Sequence, residues 1–280
     1  MESAFWDRVV AEGHRVPDER PLAELTAELT AMLGDTDPHR RDRIAHDVLA
    51  RWVSDGVYDD LLQGLGDGMA AGLSVGLGES GTDTVFRRSF SALVLAQCVR
   101  RDNETHVLPP DTVLAWGDRV ASWLVRERDL RGFVPGKGWA HAVAHGADAL
   151  AALARSEAMG RLELTVLLDV IADRLLQEHY HRFMHGEDDR LASATMEILR
   201  RDLVALDVLE PWLARLGAAA RPAVHAGDDR DPYAVTGDVQ AFLRALHLQL
   251  ALSARPPTRR ADLLLAVIEQ LRAANADVLS

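Results

Sequence analysis

Three side chains in the stretch Lys137-Gly-Trp-Ala-His-Ala-Val-Ala-His-Gly-Ala-Asp148 have types and a spacing that suit chemistry. On a helix turning about 100° per residue, His141, His145 and Asp148 fall in one stripe about 60° wide. Two imidazoles four residues apart can share a divalent metal ion, with Asp148 as an oxygen ligand one turn on. The same trio can move protons, because imidazole titrates near pH ~6.5. Trp139 and Val143 take the opposite side of this helix, and Ala144, Ala149 and Ala152 flank the stripe. A solvated face would carry long charged side chains there. Small neighbours let a ligand or a second helix come close, and Gly146 inside the helix suggests that something packs tightly beside it. The bland alternative is that each imidazole bonds separately to a nearby carbonyl or carboxylate.

Lys137 adds to the interest of this stretch. It is the only lysine in a chain that otherwise uses arginine for every basic position. A compact ammonium does what a guanidinium cannot imitate. Gly136-Lys137-Gly138 also brings backbone N–H groups and a positive charge to a helix start, which suits an anion. The glycine spacing is not that of a Walker loop. Arg88, in Phe86-Arg-Arg-Ser-Phe-Ser91, shares a helix face with Ser91 and suits a phosphate-like group, or else an ion pair to Glu79 or Asp83. Gly186-Glu-Asp-Asp-Arg190 opens another helix, where the dipole alone favours Glu187, Asp188 and Asp189. The functional alternative is that one of these carboxylates, fixed by Arg190, reaches the histidines. His179, His181 and His185 lie just before them without the spacing of a recognised metal set.

These candidates must be positioned by helices. The chain has 280 residues and a net charge of -12, with 48% hydrophobic and 5% aromatic residues. That composition is globular, with a core of Ala, Leu and Val, and the acidic surface argues against nucleic-acid binding. Cys98, alone in an apolar helix, reads as an inert core thiol. No leader pattern and no apolar run of membrane-spanning length is evident, so the expectation is a soluble, cytoplasmic protein that binds no membrane. Helical periodicity runs along nearly the whole chain, including Lys137 to Arg155, with no strand or hairpin pattern. About a dozen helices joined by short turns predict an all-α fold of stacked antiparallel pairs, an α-solenoid or superhelix. A closed helical toroid or an irregular bundle is the alternative. No linker demands two domains, so 1–280 reads as one all-helical domain. Residues 223–233, rich in Gly, Asp and Pro, read as a loop.

Arg131-Gly132, Gly136-Lys-Gly-Trp-Ala-His141, Ala144-His-Gly-Ala-Asp148, Gly186-Glu-Asp-Asp-Arg190 and Val85-Phe-Arg-Arg-Ser-Phe-Ser91 resemble segments of a family of uncharacterised bacterial all-helical proteins. The resemblance implies the fold and supplies no catalytic residue. Two functions follow from the residues themselves. One is a small-ligand site for an anion or a metal ion, with hydrolysis as its possible chemistry, built from His141, His145 and Asp148 with Trp139, Lys137, Arg88, Glu187, Asp188 and Arg190. The other is a noncatalytic helical scaffold that binds a peptide or protein.

Overall fold

The computed structural model describes residues 2–179, 181–221, 231 and 233–279. The described residues are all-α apart from one short two-stranded ladder. The chain divides into two compact units, residues 1–158 and 159–280. Most of the expected loop at 223–233 lies outside the described residues.

The first unit contains α1 (Glu2–Ala11), α2 (Leu22–Met32), α3 (Asp47–Ser54), α4 (Leu62–Gly72), α5 (Thr84–Thr105), α6 (Pro110–Arg126) and α7 (Ala142–Arg155). A π-helical segment, His39–His46, leads into α3, where the periodicity predicts one continuous helix. The long α5 lies at the centre and packs on α3, α4 and α7. Its apolar side chains Val85, Phe86, Phe90 and Val94 are buried, and so are the polar Arg88, Ser89 and Ser91. α7 packs on α5 and α6. Gly146 is what allows the second contact. A methyl group there would sit 2.7 Å from Leu124 Cδ1 and 3.3 Å from the Trp123 ring.

The second unit contains α8 (Arg161–Leu176), α9 (Glu187–Arg200), α10 (Leu206–Ala219), α11 (Tyr233–Leu252), α12 (Arg260–Ala274) and the short α13 (Ala276–Leu279). α11 packs on α8, α9, α10 and α12, with Val239, Phe242, Leu243 and Leu246 buried among them. Among the described residues no helix is long and apolar enough to cross a membrane.

One sequence expectation fails at the centre of interest. Lys137 to His141 is not helical. Phe133–Val134 and Gly138–Trp139 pair as an antiparallel ladder, with Phe133 opposite Trp139. Gly136 and Gly138 take φ of 77° and 78°, which suits glycine and closes the turn. The ladder continues as Ala140 N–H donates to Gly132 O (2.8 Å) and His141 N–H to Arg131 O (3.1 Å). The helix starts only at Ala142.

Candidate functional site

The late start of α7 changes the histidine stripe. His141 is the N-cap, not a helical residue, and holds φ 50°, ψ 36°. N-cap residues ordinarily sit in the extended region. The other described non-glycine residues with positive φ are His14, His106 and Asp202, and each follows a helix C-terminus, where the left-handed turn is common. His141 alone among them precedes a helix. Its ring stacks on Trp139, with centroids 4.4 Å apart and planes at 19°. Trp139 in turn meets Phe133 edge to face, at 5.0 Å and 75°. Phe133 is 49% exposed and Trp139 39%. The hairpin thus carries two exposed rings, Phe133 and Trp139, with the half-buried His141 ring stacked on the second.

His145 lies behind this row, buried, with its ring centroid 5.9 Å from that of His141. Its Nδ1 is 2.8 Å from Ser89 Oγ, and the Ser89 hydroxyl donates to Ala140 O. A hydroxyl has one proton, so His145 Nδ1–H is the donor to Ser89. Phe90 meets the His145 ring edge to face at 5.0 Å. This is a chain of donors that ties α5 to the end of the hairpin. It is not an activated serine, because the serine proton points to a carbonyl and the hydroxyl is shut away from solvent. Asp148, one turn further on, is half-buried.

The cationic candidates are also engaged. The Arg88 guanidinium is fully buried against Glu127, with Nε–Oε2 2.6 Å and Nη2–Oε1 2.8 Å. Its Nη1 donates to Val75 O, Gly76 O and Thr84 Oγ1 at 2.8–2.9 Å. The expected partners Glu79 and Asp83 are not the ones it takes; all three guanidinium nitrogens bond to protein acceptors, and the side chain is shut away from solvent. Buried Asp129 binds Arg131 through both oxygens (2.7 and 2.6 Å) and accepts the Gly81 N–H at 2.9 Å. The fork holds the Arg131 guanidinium more firmly protonated than usual. Lys137 Nζ bridges both oxygens of Asp83 at 2.7 and 2.8 Å. Buried Arg41, lying over the rings of Phe86 (4.2 Å) and Phe90 (4.9 Å), donates to Lys137 O at 2.9 Å. Together these contacts fasten the 75–84 turn and the hairpin to the helices beneath.

Sequence reasoning missed Glu127, Asp129, Ser89, Arg41 and Phe133. A signal for the first two was present. Acids just past the end of a helix oppose its dipole and call for a cationic partner. Cys98 is buried, with its thiol pushed up to about 12 by burial, as an inert core residue should be. Among the described residues no group of three His, Cys, Asp or Glu side chains is arranged to hold a metal ion.

Glu187, Asp188 and Arg190 open α9 in the second unit. Glu187 is buried and accepts the His185 N–H at 2.8 Å. Burial raises the Asp188 carboxyl above its usual range. In the same unit Asp238 of α11, fully buried, accepts the Phe183 N–H on both oxygens (3.1 and 3.2 Å), with His179 Nε2 at 3.4 Å and Arg182 Nε at 3.9 Å. The sequence singled out His179 but gave it no partner.

A family model described as a protein of unknown function (DUF2785) matches residues 73–248. The chain belongs to the DUF2785 family. Its matched span begins at the end of α4 and ends within α11, so it takes in Arg88, Glu127, the hairpin, α7 and the Glu187–Arg190 turn. Arg41 and the π-helical segment lie outside it. No curated protein and no solved structure matches the chain.

Proposed function

We propose that this DUF2785 protein is a noncatalytic binding module, and that the ring row Phe133–Trp139–His141 takes a guanidinium-bearing segment of a peptide or protein. The observation that carries this reading is His141. A non-glycine residue in the left-handed region costs about 1–3 kcal/mol and persists where the surroundings fix it. Here the strained residue lays its imidazole against an exposed indole. Guanidinium stacks well on such ring faces, which attract cations. The charge balance agrees, since a chain of net charge -12 attracts basic partners. An anion has less to gain, because Arg88, Arg131 and Lys137 already face Glu127, Asp129 and Asp83. Hydrolysis is disfavoured by the direction of the Ser89 proton.

The test is a fluorescence-anisotropy titration with a labelled arginine-rich peptide and with a matched glutamate-rich one. The arginine peptide should bind and the glutamate peptide should not. Trp139→Ala and Phe133→Ala should each weaken binding severalfold while leaving the melting temperature within a few degrees, since both rings are exposed. Binding that survives both substitutions would overturn the proposal.

A further inference from the structure

The second unit carries an open face between two helices. α10 and α12 come close at Gly217, where a methyl group would lie 2.2 Å from Gln270 Oε1 and 2.9 Å from its Cβ. N-terminal to that contact the two helices line a groove of about 620 Å³. α10 contributes Asp207, Glu210 and Pro211; α12 contributes Asp262, Leu265 and Glu269. Spacings of three, four and seven residues put each set on one face of its helix. Leu265 is 67% exposed, the kind of large apolar side chain that a partner would cover.

The charge on this face is one-sided. Among the described residues no Arg, Lys or His lines the groove, and none of its four carboxylates takes a hydrogen bond or ion pair. Arg215, also on α10, pairs instead with Asp173 and Asp169. The helix dipole is reason enough for acids in a first turn, as at Asp207 and Asp262. It does not account for Glu210 and Glu269, which lie beyond the first turn. An apolar floor with carboxylates on both walls is the complement of a helix that carries a leucine stripe flanked by cations.

We propose that the groove between α10 and α12 docks a basic amphipathic helix of a partner protein. Apolar side chains of the partner seat against Leu265 and Pro211, and its Lys or Arg side chains reach the carboxylates on the two walls. This is helix-in-groove recognition, with charge choosing the partner and speeding the encounter. The surface is separate from the ring row and does not depend on it.

The probe is a Leu/Lys amphipathic helix of about fourteen residues, roughly 21 Å long, titrated calorimetrically into the full chain. Its Leu/Glu counterpart, with the same apolar face, is the control. The Lys peptide should bind and the Glu peptide should not. Glu210→Lys/Glu269→Lys should weaken binding about tenfold or more. Asp111→Lys/Asp118→Lys, an equal charge change on exposed positions of α6, should leave it within about twofold. Leu265→Ser should weaken binding with no change in charge. Circular dichroism checks folding, and Glu210→Gln/Glu269→Gln serves if the lysine pair unfolds the chain. Equal losses from the two charge-reversal pairs would reduce the effect to general attraction and overturn the proposal. So would equal binding of both peptides. Self-association of the chain that Leu265→Ser abolishes would assign the groove to a second copy and overturn it too.

Discussion

Glu127 and Asp238 are both carboxylates shut away from solvent, one in each unit, and they are held in opposite ways. Glu127 accepts hydrogen bonds from Arg88 Nε and Nη2, Trp123 Nε1 and the Arg128 and Asp129 N–H groups. Asp238 accepts one N–H, shared between its oxygens, with His179 and Arg182 at longer range. Burial pushes Asp238 up to about 7. Burial, and next the charge of Arg174, pushes His179 down to about 4. The first unit keeps a buried charge by surrounding it with donors. The second lets the proton settle the matter, with a carboxylic acid beside a neutral imidazole between about pH 4 and 7. A buried ion pair so fully bonded is a structural anchor.

The largest expected effect comes from breaking the saturated site. Glu127→Leu strands the Arg88 charge and should cost about 3–5 kcal/mol in urea denaturation. Arg88→Met/Glu127→Leu should recover part of that loss. It should not recover all, because Arg88 Nη1 also caps the Val75 and Gly76 carbonyls. A double variant no better than the single would show that the loss is not one of stranded charge.

The next effect sharpens the other side of the comparison. The folded pKa of Asp238 is raised, so the stability it contributes is complete below the unfolded value, about 3.9, and is lost as pH rises through 7. The folded pKa of His179 is depressed, so its contribution is complete above about 6.5 and is lost as pH falls through 4. The two slopes oppose each other between about pH 4 and 6.5, and only the Asp238 loss continues above. Asp238→Asn should therefore gain in melting temperature over the parent chain between pH 5 and pH 8. A difference that stays constant with pH would mean that Asp238 is charged throughout.

Smaller effects are expected where hydrogen bonds outnumber charges. His145→Ala removes the donor to Ser89 and the ring packed on Phe90, and should cost roughly 1–3 kcal/mol. Smallest of all is Lys137→Arg. The Lys137–Asp83 pair is part-exposed and worth at most about 1 kcal/mol, and arginine can remake it. Melting should be unchanged. A large loss there would show that the ammonium does more for the fold than pair with Asp83.

The all-α class was legible because periodicity is local. So was the close packing at Gly146, whose cost in a helix needs a neighbour. The hairpin was not, because Ala and His at 140–145 fit a helix as well as a turn. Pro135, Gly136 and Gly138 were the available warning, since two of them hold positive φ. Arg88 stood out as chemistry, but its partner lies 39 residues away in sequence, in a loop. Nothing in a periodicity argument pairs those positions. The Ser89–His145 bond joins α5 to α7 across 56 residues and was invisible for the same reason.

Trp139 offers the most direct test of the binding account. The other five tryptophans, Trp6, Trp52, Trp116, Trp123 and Trp212, are buried, and Trp139 alone is exposed. Acrylamide should therefore quench mainly Trp139, and Trp139→Phe should remove most of the quenchable emission. Saturating arginine-rich peptide should shield that emission in the parent chain. Peptide that binds while Trp139 stays fully quenchable would contradict the account.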